Sequence, residues 1–248
     1  MNEPIPFPIR INRYLALRGI ATRTAADALI TAGKVFINGQ PATLGTKVLE
    51  GDSVEVKRGG RERVYRYIAY YKPRGIITHS PERGEKAITD IFFEKGLFPV
   101  GRLDKASEGL IILTDDGRIT ERLLHPRFVH EKEYEVIVQE SILPGVEEKL
   151  LAGIESEGEW LRARQVQKTG RSALKIILTE GKKHQIRRML AALHLTVKEL
   201  KRVRIMQVGL GDLMPGEGRR LVGTERATFL ADIGLAQANL TSTPHLNT

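Results

Sequence analysis

The chain has 248 residues, 41% hydrophobic and 28% charged, a balance ordinary for a soluble globular protein and a length sufficient for two domains. Lysine and arginine outnumber aspartate and glutamate by 39 to 30, and the resulting net charge of +9 points to a polyanionic partner. With no cysteine, disulfide frameworks and thiolate metal sites are excluded. The opening MNEPIPFPIR holds no apolar core of signal-peptide length, and no stretch approaches the roughly 18 apolar residues of a membrane span. A cytoplasmic protein with no membrane partner is expected.

Ile11 and Leu15, four apart, begin a short helical pattern that stops at Gly19. Thr24 with Asp27 three residues on resembles a capping box for a second helix ending at Gly33. Val35-Phe36-Ile37 runs into Asn38-Gly39, a strong hairpin signal, and Gly51-Asp52 marks a turn before Ser53 to Val56. Two short helices and a few strands therefore form a small module over residues 1–57, loaded with positive charge by Arg10, Arg13, Arg18, Arg23 and Lys34. Residues 58–64, with adjacent glycines and no apolar pattern, make the natural linker. From 65 to 235 strand-like runs alternate with turns and helical patterns in an α+β arrangement; the polar stretch 236–248 is expected to be a flexible tail.

Within the larger part, Tyr71-Lys72-Pro73-Arg74-Gly75 has two equal readings: a turn made by Pro73 and Gly75, or a basic element whose lysine and arginine reach phosphates of the polyanion. Asp104 stands in a Gly-flanked turn, two residues after the cation Arg102 and just before the continuous apolar strand Leu110 to Leu113. Such a strand is expected to be buried on both faces and to give the turn a rigid platform. Taken alone, Asp104 is a turn former and Tyr134, sharing a strand face with Val136 and Val138, is a core or edge tyrosine. Ile186, Met189, Leu190 and Leu193 predict a helix that turns His184, Arg187 and Arg188 to its opposite face.

Between Gly181 and Arg204 the basic residues Lys182, Lys183, Arg187, Arg188, Lys198, Lys201, Arg202 and Arg204 face one acid, Glu199. If four of them met phosphates of a single strand, a fourfold rise in salt would weaken binding roughly 50-fold. A solvated helix face is the bland alternative.

The string GRLD, then Ser107, GLIILT and DDG resembles the signature of the RsuA-type pseudouridine synthases. That family more often carries Thr where this chain has Ser107, and the hydroxyl is kept. The resemblance implies that Asp104 is the catalytic residue, that Tyr134 packs on the target base, and that an arginine of the E-G-x-x-x-Q-I-R-R-M element pairs with the acid. Position assigns the pairing to Arg187, with Arg188 the alternative. The module resembles the alpha-L RNA-binding motif through R-I-N-R-Y-L-A, A-T-R and G-K-V-F-I-N-G. The family likeness spans about residues 9 to 225 and implies a catalytic domain with a mixed, mainly antiparallel sheet. Val35 to Gly45 tilts it toward the branch modifying large-subunit (23S) rather than small-subunit (16S) RNA.

What the resemblance implies is isomerisation of uridine in ribosomal RNA, by a monomer. RNA contacts are expected from Arg10, Arg13, Arg18, Arg23, Lys34, Lys72, Arg74, Arg102, Lys182, Lys183 and Arg188. No metal-binding histidine pattern, P-loop or dinucleotide fingerprint occurs, so no cofactor is expected. The reaction breaks the N1–C1′ bond, turns the uracil and joins its C5 to C1′. Asp104 is open to attack C1′ or uracil C6, or to remove the C2′ proton; each requires an ionised carboxylate beside the sugar and a site from which water is kept out. The alternative is a non-catalytic RNA-binding factor in ribosome assembly.

Overall fold

The computed structural model describes residues 6–57, 64–79, 81, 84–92, 94–125 and 128–235. The expected tail and all of the expected linker except Val64 lie outside these residues. No helix among them is long and apolar enough to cross a membrane.

In the N-terminal module, α1 (Ile11–Leu17) and α2 (Arg23–Thr31) pack over short strands β1 (Ile9–Arg10), β2 (Val35–Ile37), β3 (Gln40–Pro41), β4 (Lys47–Val48) and β5 (Val54–Val56). Ile11, Leu15, Ala26, Ile30, Val35 and Val48 fill its own core. Asn38 and Gly39, at φ 50 and 78, close the hairpin between β2 and β3 as their sequence requires. The cap of α2 differs from expectation. Thr22, in extended backbone, accepts the Ala25 N–H at 3.0 Å, while Thr24 lies inside the helix and Asp27 accepts from Asn12 of α1 at 2.9 Å. An N-cap needs non-helical φ/ψ, and Thr22 has it.

The larger part is built on a nine-stranded sheet. Its spine runs β12 (Gln165–Gly170), β13 (Ala173–Leu178), β9 (Lys132–Val138), β14 (Val197–Ile205), β8 (Glu108–Thr114), β6 (Tyr67–Lys72) and β16 (Gly218–Arg220). Off this path β7 (Phe98–Val100) pairs with β8 and β15 (Val208–Gly209) with β14, while helices α3 (Ile88–Ile91) and α5 (Val146–Ala152) lie in connections; every pairing is antiparallel except β14 with β8. Along β6, Ile68 and Tyr70 join Ile111 and Leu113 on one face, while Tyr67, Ala69 and Tyr71 join Leu110, Ile112 and Phe229 on the other. The central strands are thus buried on both faces, as the apolar run in β8 requires.

Helix α4 (Arg118–Leu124) ties the module to the sheet domain. Arg118 donates to the Gly19 carbonyl at 3.2 Å and Arg122 to the Leu17 carbonyl at 2.9 Å, so two guanidinium groups cover carbonyls left over where α1 ends. Arg118 is itself held by the fully buried Asp116, with two contacts of 2.7 Å, and Asp116 also accepts from the Tyr67 hydroxyl at 2.5 Å.

Candidate active site

Asp104 stands in the turn leading into β8, and a second segment holds that turn on both sides. The Thr78 hydroxyl donates to the Leu103 carbonyl at 2.8 Å and accepts the Leu103 N–H at 3.1 Å. Beyond Asp104, the Gly75 N–H donates to the Lys105 carbonyl at 2.7 Å. The turn closes on itself through Ser107 N–H to Asp104 carbonyl, 3.0 Å. Backbone on either side of the acid is therefore fixed by partners that are themselves buried or paired, which is what a preorganised side chain needs.

Lys72 anchors the bracing segment from below. It is wholly buried, and its ammonium donates to the carbonyls of Pro73 at 3.0 Å and Ile76 at 2.7 Å. Burial pushes its pKa down to about 8, against the pull of the Asp104 charge, which favours the protonated form; Arg202 pushes further down. The sequence reading set Lys72 on RNA phosphates. The structure corrects this, because β6 is covered on both faces and an ammonium at its end has carbonyls within reach but no solvent.

One row of residues crosses the sheet beneath this turn. Lys72 is paired with Gly109, Gly109 with Arg202, Arg202 with Tyr134, and Tyr134 with Ile176. Residues in register share a face, so Lys72, Arg202 and Tyr134 face the same side. Gly109 is required in this row: its φ is +107, and a Cβ there would lie 2.3 Å from the Arg202 carbonyl oxygen and 2.7 Å from its nitrogen. Arg202 is buried; its Nε donates to the Leu110 carbonyl at 2.6 Å, and its Nη2 has no partner among the described residues. Tyr134 is buried in the apolar cluster that also contains Ile186 and Leu103, the residue preceding Asp104. Its hydroxyl makes no hydrogen bond among the described residues.

The third contributor is α6 (Gln185–Ala191) and the residue before it. Arg187 Nη2 donates to the Ala106 carbonyl and to the Ser107 hydroxyl, both at 3.2 Å, and Nη1 reaches the Val197 carbonyl at 3.4 Å. Burial pushes the pKa of this guanidinium down, the Asp104 charge pulls it up, and Arg74 pushes it down again. Arg187 thus grips the backbone that carries Asp104, and the buried Ser107 hydroxyl has a defined use. The side-chain contact to the carboxylate comes instead from His184: in left-handed backbone at φ 51, it brings Nε2 to 3.4 Å from Asp104 Oδ1. The helical pattern gave no sign of that contact. Thr78 carried no sequence signal at all.

Arg188 belongs to a different neighbourhood. Its side chain is 10% exposed and holds the hairpin of β10 (Ile154–Ser156) and β11 (Glu159–Leu161), through Glu159 at 2.6 Å, Glu157 at 3.3 Å and the Ser156 carbonyl. It is neither the partner of Asp104 nor free for phosphate. The same applies along the basic run. Arg204 pairs with Glu133 at 2.8 Å and Glu131 at 3.2 Å, Lys182 reaches Glu180 at 3.8 Å and the Trp160 carbonyl at 2.8 Å, and Arg202 is buried. Lys183 and Lys198 are exposed, as are Arg74 and Arg102 on the segments that flank the acid. In the N-terminal module Arg10, Arg13, Arg18 and Arg23 are exposed and Lys34 half-buried, and none makes an ion pair among the described residues.

The Asp104 side chain is 37% exposed, so its site is open to solvent in the free protein and not the enclosed one anticipated. A concavity of about 320 Å³ lined by Leu151, Arg164, Val166, Lys175 and Ile177 lies along edge strand β12 and includes none of these residues.

A basic module ahead of a mixed-sheet domain that presents one braced carboxylate defines an RNA-directed enzyme, and comparison with known proteins makes the class specific. Residues 66–192 match the RNA pseudouridylate synthase family and residues 9–54 the S4 domain. An uncharacterised RNA pseudouridine synthase of Aquifex aeolicus is 38% identical over 92% of this chain and 96% of its own. The dual-specificity RNA pseudouridine synthase RluF of Escherichia coli is 37% identical over 88% of this chain and 77% of its own. The ribosomal large subunit pseudouridine synthase B of Bacillus subtilis is 35% identical over 91% and 98%. A crystal structure of a pseudouridylate synthase superposes with a TM-score of 0.66, 26% identity, and coverage of 91% of this chain and 99% of the other. The chain belongs to the RNA pseudouridine synthase family, as an RsuA/RluF-like isomerase with an N-terminal S4 RNA-binding domain.

Proposed function

We propose that the protein isomerises a uridine of ribosomal RNA to pseudouridine, with Asp104 as the catalytic carboxylate, and that its target lies in the large-subunit RNA. The S4 module, residues 1–57, grips RNA and is joined through residues 58–64 to the isomerase domain, residues 65–235. We read the protein as a cytoplasmic monomer. The observation that carries this reading is the convergence on one turn: Asp104 braced by Thr78 and Gly75, and Arg187 on the carbonyl and hydroxyl that follow it, with Tyr134 in the apolar cluster that contains Leu103.

The residues divide the task. A flipped uridine, extruded at a cost of a few kcal/mol, lays its base against Tyr134 and brings its sugar to Asp104, whose exposed carboxylate is accessible from solvent. The unpartnered Tyr134 hydroxyl is available for proton transfer to or from the base. Arg187 does not neutralise the acid directly; it fixes the Ala106–Ser107 backbone, so the carboxylate keeps its direction while the base turns. Because the mouth is open, the bound RNA itself must complete the exclusion of water. Arg74, Arg102 and Lys183 are exposed beside it and supply phosphate contacts.

Ribosomal RNA labelled with tritium at uracil C5 tests the reading, since isomerisation releases that label without losing the base. The wild-type protein releases tritium, and Asp104→Asn binds the RNA with unchanged affinity but releases none. Release by Asp104→Asn at the wild-type rate removes this residue from the chemistry. Release from small-subunit but not large-subunit RNA reverses the substrate assignment.

A further inference from the structure

In the S4 module β1 and β4 pair so that Ile9 stands opposite Val48 and Arg10 opposite Lys47. Ile9 and Val48 are buried, so Arg10 and Lys47 point together to the other face, where both are exposed. Like charges directly opposite on antiparallel strands destabilise the pair, and no acid among the described residues offsets this one. Arg13 lies in the first turn of α1, three residues after Arg10, and Arg23 opens α2. The acid on the adjoining helix face, Asp27, is turned to Asn12.

These four cations line a single cleft of about 490 Å³ together with Pro6, Phe7, Pro8, Ile9 and Asn12. Its size falls in the range of small-ligand pockets, about 300–1,000 Å³. Four positive charges without an ion-pair partner among the described residues share that space and call for a ligand with more than one negative charge. Phe7 packs against the module's core, its ring centroid 6.4 Å from that of Tyr14, yet it is half-exposed and lines the cleft, which gives the ligand an apolar surface that phosphate alone does not use. Paired RNA offers phosphates but keeps its base faces stacked; an unpaired nucleotide offers both.

We propose that this cleft holds one unpaired RNA nucleotide, its base on Phe7 and its flanking phosphates between Arg10, Arg13, Arg23 and Lys47. The proposal rests on the ribosomal RNA reading above and adds to it: the module selects a loop or bulge at a second point, apart from the uridine that reacts. Guanidinium groups on two sides fix the phosphates, while the ring decides between unpaired and paired strands.

Fluorescence anisotropy with the full-length protein separates the outcomes, using a hairpin carrying an unpaired loop and a fully paired duplex of equal length. Phe7→Ala weakens the hairpin complex about tenfold and the duplex complex less than twofold, with the salt dependence unchanged. Phe7→Trp restores hairpin binding, which a mere packing defect would not predict. Arg10→Gln with Lys47→Gln lowers the slope of log affinity against log salt by about 1.4 on the hairpin. Equal effects of Phe7→Ala on both RNAs, or no effect on either, overturn the nucleotide site. If the wild-type protein still releases tritium from ribosomal RNA in that case, the parent reading stands and only the cleft assignment fails.

Discussion

The chain has two concentrations of basic residues, and they differ in what surrounds them. The arginines of the S4 module are exposed and without carboxylate partners among the described residues, so their field reaches solvent. In the run from Lys182 to Arg204, by contrast, Arg188 and Arg204 are tied to glutamates of other segments, Lys182 lies 3.8 Å from Glu180 two residues before it, and Arg202 is buried, while Lys183 and Lys198 stay exposed. Charge counted along the sequence treats the two alike. Charge counted in space separates them: the cations of the first are free of ion pairs among the described residues, whereas most of the second are engaged within their own domain.

The sharpest division between them is expected at Arg187, the one cation of the second run that grips the Asp104 turn. Arg187→Met should lower the rate of tritium release at saturating RNA by a hundredfold or more, by analogy with loss of a preorganised donor, while RNA affinity changes less than threefold. A loss that appears in affinity instead would make Arg187 a phosphate contact and erase the distinction. Next in size is the converse change. Replacing Arg13, Arg18 and Arg23 together by Gln should leave the saturated rate intact and lower the salt slope by about 2. Wild-type binding should then weaken about 20-fold more than the variant's between 50 and 200 mM salt. An unchanged slope would mean that these exposed charges never meet RNA.

What could be read from the sequence follows the same line. Local rules sufficed wherever a residue's neighbours in the chain decide its state. The Asn38-Gly39 hairpin, the doubly buried β8 and the alternation of Tyr134, Val136 and Val138 are of this kind. The family likeness brought Asp104, Tyr134 and Arg187 to attention, and Arg187 reaches the turn that carries Asp104. Partners contributed across long separations were not readable. Thr78 is 25 residues from Leu103 and Glu159 is 29 from Arg188, so neither the brace nor the neutralisation leaves a periodic trace. Lys72 misled because its sequence context is a turn, whereas its surroundings are set by strands that pair with it from elsewhere.

A third kind of cation, buried or half-buried and without an acid ion-pair partner among the described residues, gives the next expected effect. Burial pushes Lys72 and Lys132 down to about 8 from an ordinary value near 10.5, with Arg202 adding to both. Between those limits the unfolded chain binds protons that the folded one does not, so stability rises with pH. The tyrosines act in the opposite sense: burial raises Tyr70 and Tyr71 to about 12 and raises Tyr67 as well, so above about pH 10 the unfolded chain loses protons that the folded one keeps. Urea midpoints should therefore climb from pH 8 to about 10 and fall beyond it. Lys72→Met should flatten the climb. A midpoint already falling between pH 8 and 10 would contradict the placement of these ammonium groups.

The smallest effect on RNA binding is expected where the sequence looked most basic. Arg188 is held by Glu157, Glu159 and the Ser156 carbonyl, and its guanidinium is nearly covered. Removing it subtracts a cation whose field is already cancelled, and leaves two carboxylates of the β10–β11 hairpin without a partner. Arg188→Gln should thus change RNA affinity less than twofold and the salt slope by much less than the 0.7 of a single phosphate contact. The melting temperature should fall by a few degrees, because the hairpin loses its tie to α6. Arg13→Gln alone should do the reverse, shifting the slope with no change in melting. If the two variants behave alike in both measurements, ion pairing in the free protein does not decide which cations RNA sees, and the contrast between the two basic regions loses its physical basis.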